Sequence, residues 1–138
     1  MAQTETKVKK QTLKVAKKKR VKKNVPKVIV RIKSGYNNTI VSITDYEGNV
    51  LSQSSGGAVG FKGSKKSTAF AATKAAEDAV AKASRYGIQE AVIIVRGMGM
   101  GRQAAVKGIR SGGLKISSLS DYTSIPHGGV TPRKKPRK

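Results

Sequence analysis

The string Gly99-Met100-Gly101-Arg102-Gln103-Ala104 has the spacing G-x-G-x-x-A, and Asp121 lies 22 residues beyond Gly99. Between a strand and a helix, that spacing holds a dinucleotide: the glycines admit the pyrophosphate and the later acid takes the ribose. The surroundings do not suit it. The helix that follows is too short, and antiparallel strands stand where a second mononucleotide-binding half belongs. The loop 56–67 lacks the Gly-Lys-Ser/Thr of a phosphate-binding P-loop at the required spacing. A two-metal nuclease needs converging carboxylates. In a chain with only seven acids, Asp45, Glu47 and Asp121 read instead as turn and cap residues. His127 is the sole histidine, and no serine stands in a recognisable nucleophile context. The chain has no cysteine, which excludes disulfides, zinc knuckles and thiol nucleophiles. The expectation is a protein without catalytic residues, metal or cofactor.

Anion binding fits the residues better. One glycine loop carries Lys62, Gly63, Lys65, Lys66 and Ser67; the other carries Arg96, Gly97, Gly99, Gly101 and Arg102. Each runs into a helix, whose first N–H groups and dipole favour a phosphate, while glycine lets the backbone approach it closely. The plainer alternative is that the glycines only make turns and the lysines are solvated. Asn37 and Asn38, at the tip of a hairpin, are candidates for RNA hydrogen bonds; the alternative is that they close the turn through their own backbone. Arg102 opens the second helix, where a cation opposes the dipole by a few tenths of a kcal/mol. A phosphate shared by N–H groups and guanidinium explains it, the alternative being a salt bridge to Asp121 or Glu90. With six aromatic residues and no Trp, stacking in the manner of an RRM is not expected. Backbone and shape are read, with few base contacts.

The elements that must position these residues follow from periodicity. KVIVRIK at 27–33 alternates, TIVSIT at 39–44 is β-branched, and VLSQS at 50–54 is a weaker strand, with turns SGYNN and DYEGN between them. A helix is predicted from about Ser67 to Tyr86, capped by Ser67 or Ser64 and stopped by Gly87. Its alanines suit close packing on a sheet, with Phe70 and Val80 as larger anchors. AVIIVR at 91–96 is a continuous apolar run, the mark of a strand covered on both faces. A short helix at 102–111 and a strand at 114–120 complete the order. The expected class is α/β: an antiparallel three-stranded meander followed by α-β-α-β, in two or three layers.

Charge sets the partner. Of 29 Lys and Arg, eleven lie in 1–27 and five in 125–138, against one acid in those two segments together, Glu5; the whole chain carries +22. Self-repulsion of this size calls for a polyanion. The basic tail of Arg133, Lys134, Lys135 and Arg137, with His127 before it, is expected to touch nucleic acid. The expected organisation is a disordered basic arm at 1–26, a globular domain at 27–124 and a basic tail at 125–138. No apolar run approaches a membrane span, and the arm lacks the apolar face of an interfacial helix. A cytosolic protein without membrane or small-molecule partners is expected. A free RNA chaperone or nucleoid protein is the rival the tails alone would support; a small enzyme using the 97–104 loop is the other.

YNNTIVSITDYEGN at 36–49, GGAVGFKGSKKSTAFAATKAAEDA at 56–79, YGIQEAVIIVRGMGMGR at 86–102 and DYTSIPHGG at 121–129 resemble the bacterial type of small-subunit ribosomal protein eleven. The resemblance runs over nearly all of 27–132, and NNTIV, GFKGSKKST and IPH together are highly specific. It implies a ribonuclease-H-like fold and a place on the small-subunit platform. There the protein bridges helices of 16S-type ribosomal RNA, beside the cleft that holds messenger RNA and its Shine–Dalgarno duplex. The neighbours it implies are small-subunit proteins seven and eighteen and initiation factor three. Two departures stand out. Met98 and Met100 replace the prolines of a G-P-G-P-G-R loop, and Gly128 and Val130 replace the Asn and Cys of H-N-G-C-R-P.

Overall fold

The computed structural model describes residues 24–137; most of the basic arm read at 1–26 lies outside the described residues. Strands β1 (Lys27–Ser34), β2 (Thr39–Thr44) and β3 (Val50–Ser55) precede a 3-10 turn (Gly63–Ser67) and helix α1 (Ala69–Ala83). After a second 3-10 turn (Ser84–Tyr86) come β4 (Glu90–Arg96), helix α2 (Gly101–Ser111) and β5 (Lys115–Asp121). They form one mixed α/β unit with a five-stranded sheet ordered β3-β2-β1-β4-β5. The pairs β1–β2 and β2–β3 are antiparallel, whereas β1–β4 and β4–β5 are parallel.

The alternation in β1 does what its period requires. Val28, Val30 and Ile32 are buried, and in register with them lie Val41 and Ile43 of β2 and Ala91, Ile93 and Val95 of β4. Both helices cover this one face: Ala72, Ala76, Ala79 and Val80 of α1 and Ala105 and Ile109 of α2 belong to the same core. The two crossovers, β3 to β4 and β4 to β5, advance in the same direction along the sheet, so one handedness puts both helices on the same side. The molecule therefore has two layers. Alanines bring α1 close to the sheet, where Ser52 Oγ donates to the Ala79 carbonyl at 2.8 Å and Ser54 Oγ to the Asp78 carboxylate at 2.6 Å. At Gly108 of α2 an added Cβ would lie 2.8 Å from the Thr73 carbonyl oxygen and 2.9 Å from Ala76 Cβ, so the two helices nearly touch.

Three expectations are corrected here. The run 91–96 is not covered on both faces: Val92 and Ile94 are only half-buried on the sheet's open side, while Ala91, Ile93 and Val95 are buried. Its apolar residues on the open side are shielded by neighbouring strands, Val92 opposite Ile29 and Ile94 opposite Arg31, rather than by a third layer. The N-cap of α1 is Thr68, not Ser64 or Ser67. Gly63 takes φ +60° and winds 63–67 into the 3-10 turn, after which Thr68 is extended and its Oγ1 accepts from Ala71 N–H at 3.3 Å. Phe70 does not anchor the interior. It is 62% exposed and stacks edge-on against Phe61, centroids 5.8 Å apart, which pins the loop before the helix. Gly87 ends the helical segment in the left-handed conformation at φ +68°, as its position predicts.

The first described residues are hydrogen-bonded to the segment between the first helix and β4. Val25 N–H donates to the Tyr86 carbonyl, and the Pro26 carbonyl accepts from Gln89 and Glu90 N–H, each at 2.9 Å. Beyond β5, the described residues 122–137 form no helix or strand.

Candidate nucleic-acid interface

Topology gathers the candidate residues at one end of the molecule. Strands β1, β4 and β5 run parallel, so Ser34, Arg96 and Asp121 finish at the same end, and both helices start there. In open α/β sheets this carboxyl end is where ligands bind, because the loops leaving the strands and the helix N-termini meet there. The β1–β2 hairpin tip lies at this end too, together with the loop that leaves β3.

The pieces pack against one another. Gly56 N–H donates to the Thr39 carbonyl at 3.1 Å, and a Cβ at Gly56 would fall 2.7 Å from the Lys66 carbonyl oxygen, which ties the lysine loop to the hairpin. Gly99 N–H donates to the Ser34 carbonyl at 3.0 Å. Gly97 (φ +100°) and Gly99 lie so close that an added Cβ would stand 2.1 Å from Ser34 O and 2.3 Å from Gly35 O. At Gly101 it would meet Thr39 Oγ1 at 2.2 Å. The glycines at 97, 99 and 101 are thus required by close packing on β1 and β2. Approach to a phosphate is not needed to explain them.

The cations differ in what holds them. Among the described residues Lys62, Lys65 and Lys66 form no ion pair, and the first two are exposed. Gly63 and Ser67 bracket their turn; Ser67 Oγ donates to the Ser64 carbonyl at 2.9 Å. Arg96 is exposed but engaged: its Nε donates to the Tyr122 carbonyl and its Nη2 to Ser124 Oγ, both at 3.2 Å, which fixes the start of the tail. Arg102 has an acidic partner, Asp121, so the salt-bridge alternative describes its contact in the isolated chain. Asp121 also accepts from Thr123 N–H at 3.0 Å and from its hydroxyl. The Thr123 hydroxyl and, less strongly, the Arg102 guanidinium hold this carboxyl below its ordinary value.

Asn38 closes the turn, its Oδ1 accepting from Thr39 N–H at 2.9 Å while its carbonyl accepts from Gly35 N–H at 2.9 Å. Asn37 is exposed at the tip. The tail then folds back: Pro132, Arg133, Lys134, Lys135 and Pro136 share a cleft with Tyr36, Asn37 and Asn38. Lys135 Nζ sits 5.1 Å from the centroid of the Tyr36 ring. His127 and Arg137 are exposed along the tail. Hairpin tip, both glycine loops and tail form one continuous surface.

The enzyme readings lose their geometry. The acid of the G-x-G-x-x-A spacing, Asp121, is occupied by Thr123 and Arg102. Asp45 and Glu47 lie at the other end of the sheet, where both accept from the side-chain amide of Asn49. Sequence reasoning passed over Tyr36 and treated Met98 and Met100 only as departures, although all three line this end. Their signal was exposure of apolar side chains among cations, which becomes visible only once the loops are assembled. Among the described residues no helix is long and apolar enough to cross a membrane.

A family model described as ribosomal protein S11 matches residues 28–137, which is 110 of the 138 residues and includes every candidate residue above. Members of that family are structural, non-enzymatic components of the small ribosomal subunit that bind ribosomal RNA. This chain belongs to the ribosomal protein S11 family.

Proposed function

We propose that the carboxyl end of the sheet is the face that holds ribosomal RNA, bridging helices of 16S-type RNA on the subunit platform beside the messenger cleft. The observation that carries this reading is convergence: residues 34–38, 62–67, 97–102 and 131–137 form one surface, in which Lys62, Lys65 and Lys66 have no acidic partner among the described residues. Cations without acids at a strand-end crevice are charges waiting for phosphates. The rigid part supplies position; the basic segments at 1–26 and 125–138 supply neutralisation around the domain at 27–124. Arg102 exchanges Asp121 for a phosphate on assembly, as a half-exposed pair of little intrinsic strength permits. Small-subunit proteins seven and eighteen and initiation factor three are the protein neighbours this reading carries with it. A ribonuclease-H-like sandwich is the fold it carries, supported by three antiparallel strands followed by two parallel crossovers.

Binding of the full chain to transcribed small-subunit RNA tests the reading. With ~6–10 phosphates neutralised, affinity falls by ~10³–10⁵ between ~50 and ~200 mM salt. A nearly flat dependence overturns it.

A further inference from the structure

We propose that a small cleft between the hairpin tip, the 97–101 loop and the tail receives one unpaired RNA base. Tyr36, Ser67, Met98, Met100, Lys135 and Pro136 line it, and its volume is about 210 Å³. That is below the ~300–1,000 Å³ of sites for drug-sized ligands and suits a single planar heterocycle. The inference rests on the RNA-binding reading above and adds a contact to a base where that reading has contacts to the backbone.

The lining has the chemistry of a stacking site. Tyr36 is 42% exposed, Met98 54% and Met100 82%, on a surface whose other exposed residues are mostly lysine, arginine, glycine and asparagine. An aromatic ring and two thioethers present polarisable faces, which favour a base of any identity. Tyr36 Oη donates to Met98 Sδ at 4.0 Å, so hairpin and loop hold the ring in place from its edge. The charges in the wall of the cleft and beside it select what enters. Lys135 stands over the Tyr36 ring, and Arg133, Lys134 and Lys33 line the adjoining cleft with Tyr36. An apolar pocket bordered by cations fits a ligand with a flat apolar part and an anionic part left outside, which describes a nucleotide within a strand. A base that takes the place of the Lys135 ammonium on the ring leaves that ammonium beside the phosphate it brings. The methionines between glycines give the cleft width: unbranched side chains adjust to purine or pyrimidine, where a ring-closed residue at 98 or 100 fixes the wall.

The test separates stacking from charge. For the full chain and transcribed small-subunit RNA, Tyr36→Ala lowers affinity about 5- to 100-fold at every salt concentration. It leaves the slope of log affinity against log salt unchanged, because no cation is removed. Tyr36→Phe retains the affinity, and Lys65→Ala reduces the slope by ~1 instead. The double variant Met98→Ala/Met100→Ala, at two exposed side chains, lowers affinity without moving the melting temperature; it decides the matter if Tyr36→Ala fails to fold. Photocrosslinking with 4-thiouridine-substituted RNA places adducts on Tyr36, Met98 or Met100. Wild-type affinity in both cleft variants overturns the base site and leaves the phosphate face standing. Absence of salt-dependent binding by the wild-type chain overturns the RNA reading itself.

Discussion

At the scale of single residues, the acids are few, and among the described residues each has a structural task. Asp78 accepts from Lys82 and from the buried Ser54, and these hydrogen bonds, Lys82 first, hold its carboxyl below the ordinary value of 3.8 against the opposing effect of burial. A carboxyl depressed in the folded state stabilises the fold above its unfolded value and loses that contribution as pH falls through the folded one. Asp78→Asn should therefore lower the denaturant midpoint at about pH 6, and its gap from wild type should narrow progressively as the pH falls below 3.8. A gap that persists in acid contradicts the assignment. Arg102→Ala is expected to lower the melting temperature only slightly, since its pair with Asp121 is solvent-accessible on both sides. Subunit incorporation, measured beside the melting curve, should drop by more than that loss of stability explains. That pair was legible in the sequence only as one of two alternatives, because it spans 19 residues and depends on β5 lying beside β4. The turn-closing role of Asn38 is local, and so was easier to read.

At the scale of elements, packing overrides propensity. Ala at an exposed helix interior position outranks Gly by ~1 kcal/mol. At Gly108, however, the added Cβ meets Thr73 O and Ala76 Cβ within 3 Å, and overpacking of this kind costs ~1–3 kcal/mol. Gly108→Ala should thus destabilise the protein in urea unfolding rather than stabilise it; a higher midpoint contradicts the close α1–α2 contact. The strands were legible because a half-buried sheet imposes a period of two on β1, and β-branched residues mark β2. The misreading of 91–96 has a physical origin. In β4, with a strand on either side, apolar residues are sheltered on the open face by lateral neighbours, so composition resembles that of a strand buried on both faces. The Thr68 cap was missed because it depends on the positive φ of Gly63, which opens a 3-10 turn through the serines offered as caps.

At the scale of the whole molecule, charge and topology act together. Residues 1–23 contribute ten basic residues and one acid, a net +9, and hydrogen bonding of the chain to the fold is in place from Val25. Deleting 1–23 should leave the melting temperature within a few degrees of the full chain while weakening RNA binding and flattening its salt slope. A collapse of the circular-dichroism signal would show that those residues belong to the core. Net charge named the partner, but the place of contact depended on strand order, which periodicity does not contain. Once β1, β4 and β5 are parallel, candidate residues scattered over a hundred positions of sequence come to one end. Crosslinking of intact small subunits, read out residue by residue on this chain, tests that placement most directly. RNA adducts should concentrate in 34–38, 62–67, 97–102 and 131–137. Adducts concentrated instead at the opposite end, on the 45–49 turn and on 87–89, would contradict the account.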